Sequence, residues 1–278
     1  MTPPQPTPRA DLATAIERLI EGQVHLGSKH ISVHQVMRNL EQRGVKVWLS
    51  GGCLRDLLAG VDPNDIDLTV SCHVSQLRDL LVMEYGADSV LIYNPDFGTL
   101  RYGSDAQSYL DFSMLRDPDD VVGHAHFKAV RYRLGSSLKA DARNRDFPFN
   151  ALYWRSGLVD PTGRGVADAL NREITICQDP RKSAIDPRLS FRILLFAHLG
   201  YSLGPDARAY LNRHIDADTA AMGPGLASWL QELTRGRGSV KAGILDQAER
   251  GGAAPETLRR LDSAREHGPA FRSYLHPD

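Results

Sequence analysis

Residues 45–70 read VKVWLSGGCLRDLLAGVDPNDIDLTV, and the order of patterns within this stretch decides the fold. Val45 to Leu49 is a short apolar run of the kind a buried strand makes. Ser50-Gly51-Gly52 reads as a tight turn opening a helix from Leu54 to Ala59. Ile66 to Val70 reads as a second strand, entered through Asp65-Ile66-Asp67. Carboxylates at alternate strand positions share a face, roughly 7 Å apart along it. The interleaved Ile66 and Leu68 then face the core.

Two acids at this spacing suit a pair of divalent ions held about 3.5–4 Å apart. Just upstream, a glycine pair between strand and helix lets backbone N–H groups approach a phosphate closely. A phosphate cradle and a metal-binding carboxylate pair are the parts that phosphoryl transfer needs. Taken singly, the acid pair is most often a solvated strand end and the glycine pair a plain turn. Their combination within one strand–turn–helix–strand unit points to a catalytic site.

Working outward, helical patterns run from Asp11 to Glu21, from Ser32 to Arg43 and from Val74 to Tyr85. Strand patterns fall at Ser89 to Tyr93, Leu100 to Tyr102 and Ser108 to Leu115, with Asn94-Pro95-Asp96 as a turn. Ala151 to Trp154 is one more apolar stretch, followed by a Gly/Asp-rich loop through Asp168. From Pro187 the pattern is helical: Pro187 to Leu199, Asp206 to His214, Leu226 to Thr234, Val240 to Glu249 and Pro255 to Glu266. The expected fold is α+β: a small mixed-sheet head over residues 11–180, then an all-helical domain over 181–278. Residues 1–10, rich in Pro and Thr, are expected to be a disordered lead-in.

Composition narrows the function. With 42% hydrophobic and 24% charged residues among 278, the chain has a globular balance, and it holds no apolar run of the roughly 18 residues that span a bilayer. Cys53, Cys72 and Cys177 form no CxxC pair, so neither a disulfide framework nor a zinc site is implied, and a reducing, cytoplasmic setting is expected. Lys and Arg number 33 against 34 Asp and Glu, a formal charge of −1, so no general attraction to nucleic acid exists. Local basic clusters lie at Arg131 to Arg145, Arg235 to Lys241 and Arg259 to Arg265. Tyr93, Phe97, Tyr102 and Tyr109 are either core aromatics or base-stacking platforms. His124 and His126 form an HxH that reads as a solvated loop.

Residues 45–70 resemble the opening motif of bacterial tRNA nucleotidyltransferases of the class II, CCA-adding type and of poly(A) polymerases, in the DNA polymerase beta-type superfamily. The resemblance continues in order through NPDFGTLRY (94–102), YLDFSMLR (109–116), DARNRDFPFNAL (141–152), DPTGRGVADAL (160–170) and DPRLSFRILLFAHLGY (186–201). It implies that Asp65 and Asp67 hold two Mg²⁺ ions, with Asp111 completing the catalytic set and orienting or deprotonating the acceptor hydroxyl. Gly51, Gly52 and Arg55 would grip the triphosphate, and Asp141, Arg145, Asp146 and Asn150 the ribose. Asp186, Arg188 and Arg192 would meet the base. The implied partners are an NTP (ATP, CTP or both) and an RNA acceptor such as tRNA.

Two departures matter. The ribose segment has Asn144 where the family has the first of two arginines, and Pro148 where it has Thr. The base-reading helix has Ile185 for Glu and Leu189 for the first Arg, with Arg188 one place early, about 100° around a helix. Relaxed base choice is the expectation. The acceptor stays open between RNA, a small molecule and a protein, and a silent nucleotide-binding module is the non-enzyme alternative. If RNA binds, Arg235, Arg237 and Lys241 are the expected phosphate contacts. Oligomeric state is not legible.

Overall fold

The computed structural model describes residues 11–105, 108–123, 128–177, 188–223, 225–227, 230 and 238–263. The expectations placed on residues 1–10, on His124 and His126, on Ile185 and Asp186, and on Arg235 and Arg237 lie outside these. The described residues fall into two compact units, those within 1–119 and 132–171 in one, and those within 120–131 and 172–278 in the other. The division thus falls before the boundary expected at residue 180.

The first unit begins with α1 (Leu12–Ile20), whose N-cap Asp11 accepts from the Thr14 amide. A hairpin of β1 (Gln23–Leu26) and β2 (Lys29–Ser32) follows, turning through Gly27 at φ +59°. Then come α2 (Val33–Gln42), capped by Ser32, β3 (Val47–Ser50), α3 (Gly52–Leu58), β4 (Asp67–Val70) and α4 (Val74–Tyr85). Three more strands follow, β5 (Val90–Asn94), β6 (Thr99–Gly103) and β7 (Tyr109–Met114). A separate two-stranded ribbon, β8 (Arg116–Gly123) with β9 (Lys128–Leu134), has its tip, residues 120–131, in the second unit, and the chain returns to the short α5 (Leu138–Ala142) of the first. The unit ends with β10 (Tyr153–Trp154), β11 (Leu158–Val159) and α6 (Gly165–Asn171).

Seven strands form one sheet in the order β11-β10-β3-β4-β7-β6-β5. Its neighbours are antiparallel except β4 and β7, which run parallel. A parallel pair needs a long crossover between its strands, and α4, β5 and β6 supply it. Alternation sorts the two faces. Val47, Leu49, Leu68, Val70, Leu100, Tyr102, Leu110, Phe112 and Met114 are buried on one. Ser50, Asp67, Thr69, Arg101, Tyr109, Asp111 and Ser113 occupy the alternate positions, and these carry the chemistry.

The loop expected through Asp168 is instead a turn and a helix. The Asp160 carboxylate accepts from the Thr162 and Gly163 amides, the Thr162 hydroxyl and the Val166 amide. This folds the polar segment onto the start of α6, so charge and glycine content here mark a capped helix entry. Gly165 meets the 3-10 turn Pro148–Asn150 so closely that a Cβ would lie 2.4 Å from the Pro148 carbonyl oxygen.

In the second unit β12 (Glu173–Ile174) pairs in parallel with β13 (Ser202–Leu203), and α7 (Leu189–His198) precedes α8 (Pro205–Met222). Helices Gly238–Arg250 and Pro255–Ser263 follow. Buried Asp218 accepts from the Ser190 and Tyr210 hydroxyls, tying α8 to α7. No described helix is long and apolar enough to cross a membrane. Because α6 must approach the 148–150 turn this closely, Gly165→Ala should destabilise the protein by about 1–3 kcal/mol, the usual cost of overpacking. Urea unfolding measures it, and a change below about 0.5 kcal/mol would show that the turn yields.

Candidate active site

Residues expected in the site converge because three strand registers bring them together. Ser50 faces Asp67 across β3 and β4, Asp67 faces Asp111 across β4 and β7, and Arg101 faces Asp111 across β6 and β7. Asp67 opens β4, whereas Asp65 lies in the bend just before it. Tyr109 bridges that gap by donating its hydroxyl to Asp65 Oδ1 at 2.7 Å. The acid pair expected on one strand is therefore one strand residue and one bend residue.

Asp67 is held well above the ordinary carboxylate range. Burial first, then the charges of Asp111 and Asp65, push its pKa up to about 6, against the pull of Arg145 and Arg55. Gly51 clears the space beside it: at φ +74°, a Cβ there would sit 2.9 Å from Asp67 Oδ2. The Gly51 amide itself donates to the Leu152 carbonyl at 3.3 Å, so in this state it is engaged with backbone. Cys53 donates its thiol to the Ser50 carbonyl, and burial, followed by the nearby Asp67 charge, pushes its pKa up to about 12. That thiol is a protonated core group.

The expected triphosphate and ribose residues form a connected network. Arg55 donates from Nη1 to Asn150 Oδ1 at 2.7 Å and from Nε to Asp56 at 2.8 Å. Asn150 donates in turn to both oxygens of Asp146, which also accepts from the Phe147 amide. Asp141 departs from expectation. It is fully buried, so it supports the site from beneath and does not face ribose. Its carboxylate accepts from the Arg116 amide at 2.8 Å, from Arg145 Nε at 3.0 Å and from the Tyr153 hydroxyl. Burial alone would raise its pKa, but Arg145 and Arg116 outweigh this and hold it below the ordinary 3.8. Arg145 reaches on to Thr69 Oγ1 at 3.0 Å and Ser113 Oγ at 3.5 Å, under the acid cluster. Asn144, at the departed arginine position, donates to the Arg116 and Ala140 carbonyls.

Arg101 was not legible as a site residue. It grips Asp111 with two hydrogen bonds, Nε to Oδ1 at 2.8 Å and Nη2 to Oδ2 at 2.7 Å, and lies 4.1 Å from the centroid of the Tyr109 ring. Tyr109 is thus a site aromatic, while Tyr102 is core, donating to the Leu81 and Gly86 carbonyls. Tyr93 lies beneath Arg78, and Phe97 packs edge-on to Tyr132. The oxygen donors suit a hard divalent cation, and the raised Asp67 marks negative charge that a cation would relieve. Among the described residues, however, no three acid, His or Cys side chains are arranged to hold a metal ion as they stand. Arg101 and Tyr109 engage two of the three acids.

In the second unit, Arg188 immediately precedes α7 and its carbonyl accepts from the Arg192 amide. The two arginines are four apart and so share a face. Leu189 is buried core. Lys241 donates to the Asp262 carbonyl at 3.1 Å.

Residues 47–175 match the family model of the poly A polymerase head domain. A CCA-adding enzyme of Levilactobacillus brevis is 27% identical over 201 residues, covering 69% of this chain and 47% of the relative. Poly(A) polymerase I of Salmonella typhimurium is 27% identical over 254 residues, covering 87% and 50%. The chain thus spans about half the length of these curated relatives. A solved tRNA-processing enzyme with CTP has a TM-score of 0.61 at 22% identity, covering 84% of this chain and 60% of the other. A Thermotoga maritima CCA-adding enzyme complexed with tRNA has 0.60 at 17%, covering 86% and 55%. These likenesses show a shared fold.

Two expected outcomes follow from the geometry. A carboxyl with a raised folded pKa costs stability above its ordinary 3.8, in full once the pH passes the folded value. Metal-free Asp67→Asn should therefore be more stable than the parent at pH 8, by on the order of 1–3 kcal/mol. The gain should vanish toward pH 4; a pH-independent difference in urea unfolding would contradict this. Asp141, held low, contributes stability above its ordinary 3.8 that is lost as the pH falls through its folded value. Asp141→Ala strands Arg145 in the interior and should cost about 3–5 kcal/mol at neutral pH, read as a lowered denaturation midpoint.

Proposed function

We propose that this chain transfers a nucleoside monophosphate from an NTP to the 3′ hydroxyl of an RNA, with tRNA as acceptor and ATP or CTP as donor. The observation that carries this reading is the register of Asp67 beside Asp111 on adjacent parallel strands, in a head matched by the poly A polymerase family over residues 47–175. The acceptor 3′ oxygen attacks the α-phosphorus, the bond to the β-phosphate bridging oxygen breaks, and pyrophosphate leaves. Two Mg²⁺ ions at Asp65 and Asp67 would supply charge neutralisation of the triphosphate and a lowered pKa at the acceptor hydroxyl.

The protein's own groups divide the remaining work. Asp111 receives or orients the hydroxyl proton. Arg55, pinned by Asp56 and Asn150, presents a pre-positioned cation toward the triphosphate, beside the turn at Gly51 and Gly52. Asp146 and Asn150 form the ribose side. Arg145 and Asp141 act by positioning, since both are enclosed beneath the acids. Arg188 and Arg192, four apart at the start of α7, are assigned to the base, together with Asp186 of the same sequence motif. Buried Leu189 contributes no hydrogen bond there, which favours relaxed discrimination between CTP and ATP.

The test is incubation with each α-labelled NTP and Mg²⁺, with and without tRNA. Label should appear at the tRNA 3′ end, and Asp67→Ala should abolish it while leaving the circular dichroism spectrum unchanged. Transfer to a small hydroxylated compound in place of tRNA overturns the RNA acceptor, and transfer to nothing overturns the reading. Strict, ordered use of CTP and then ATP in competition overturns relaxed base choice. RNA binding should weaken with salt, log K falling by about 0.7–0.9 per phosphate neutralised against log salt. Joint substitution of Arg235, Arg237 and Lys241 should flatten that slope without changing NTP affinity.

A further inference from the structure

Arg145 and Arg101 both stand against acids of the site, and their surroundings differ. Arg145 is enclosed, its side chain 12% exposed, and its partner Asp141 is fully buried. Neither can leave the other without stranding a charge in the interior. Arg101 is 33% exposed and its partner Asp111 28%. Its guanidinium has solvent to move into, so its bond to Asp111 is breakable at modest cost. While it lasts, the planar fork takes both carboxylate oxygens. The same guanidinium stacks on Tyr109, whose hydroxyl holds Asp65. One releasable cation therefore restrains two of the three acids, one directly and one through the ring it covers.

Asp67, with the charges of Asp111 and Asp65 both acting on it, belongs to a cluster that needs a counter-charge in the resting protein. A divalent cation at the same acids would serve that need and compete with Arg101 for the Asp111 oxygens. We propose that Arg101 is a displaceable counter-ion, holding Asp111 until a divalent cation takes the carboxylate and thereby setting the metal concentration at which the site assembles. It is a positioning residue, acting through Asp111. The proposal rests on the nucleotidyl-transfer reading only for the identity of its competitor, a divalent metal ion.

The test is Mn²⁺ binding to the full chain, followed by electron paramagnetic resonance without any NTP or RNA, for the parent, Arg101→Gln, Arg101→Lys and Asp67→Ala. Removing the competing cation should tighten Mn²⁺ binding by about tenfold in Arg101→Gln, the scale of one charged hydrogen bond discounted for partial exposure. Arg101→Lys, which keeps the charge and loses the fork, should fall between Gln and parent. If Arg101→Gln misfolds by circular dichroism, the Lys variant carries the comparison in the same direction. Without metal, Arg101→Gln should melt below the parent, and saturating Mn²⁺ should close that gap. Equal or weaker Mn²⁺ binding in the folded variants overturns the counter-ion role and leaves the transfer reading standing. No binding by parent or variants, matching Asp67→Ala, overturns the metal centre and the proposal with it.

Discussion

The polar face of the sheet depends on the buried pair of Asp141 and Arg145. Each is a charge that would not be tolerated in its place alone, and each satisfies the other. Their remaining hydrogen-bonding capacity is spent on the surroundings: Arg145 on Thr69 of β4 and Ser113 of β7, Asp141 on the Arg116 amide of β8 and the Tyr153 hydroxyl of β10. One ion pair thus links α5, which carries Asp141, and the bend after it, which carries Arg145, to four strands. It also lays a fixed positive charge beneath Asp67, though not enough to offset burial and two neighbouring acids. The cluster above it is left electrostatically unfinished, as a site that takes up a cation should be.

Much of the head was legible because its signals are local. An apolar run, a glycine pair and a helix period need no distant partner to be read, and β3, α3, β4 and β7 appear where residues 45–70 and 109–114 place them. The β1–β2 hairpin was missed although Val24, Leu26 and Ile31 are apolar around Gly27-Ser28. Two histidines and a lysine in so short a stretch mask the alternation. His25 and His30 stack across the strands at 4.2 Å, which makes this polar pair part of the hairpin's packing. The β8–β9 ribbon was missed for a similar reason, since its acids and arginines carry no face-by-face pattern.

Candidate site residues were legible where chemistry fixes their type and opaque where pairing fixes their role. Asp65 and Asp67 could be singled out as an alternating acid pair entering a strand, and Asp111 through the resemblance carried by residues 109–116. That Arg101 stands opposite Asp111 depends on the β6–β7 register, which is set by a loop too long to be read from turn type alone. Asp141 shows the converse. Its motif marks a polar function, and only the fold shows that both its oxygens are consumed inside the protein. In the second unit, the arginine displaced from position 189 to 188 keeps a shared helical face with Arg192, because spacings of three and four both close one turn. The shift that looked disruptive along the chain is milder in three dimensions.

The absent side chain at Gly51 has a consequence for how such a site changes over time. Every amino-acid replacement reachable by altering one base of a glycine codon introduces a Cβ, and here a Cβ would lie 2.9 Å from Asp67 Oδ2. There is no mild first step at this position. Relief would come only from shortening or removing the acid opposite, the group the proposed transfer can least spare. Glycine and aspartate are therefore bound into one heritable unit, to be kept together or lost together, and decay of the proposed activity in a lineage would be abrupt.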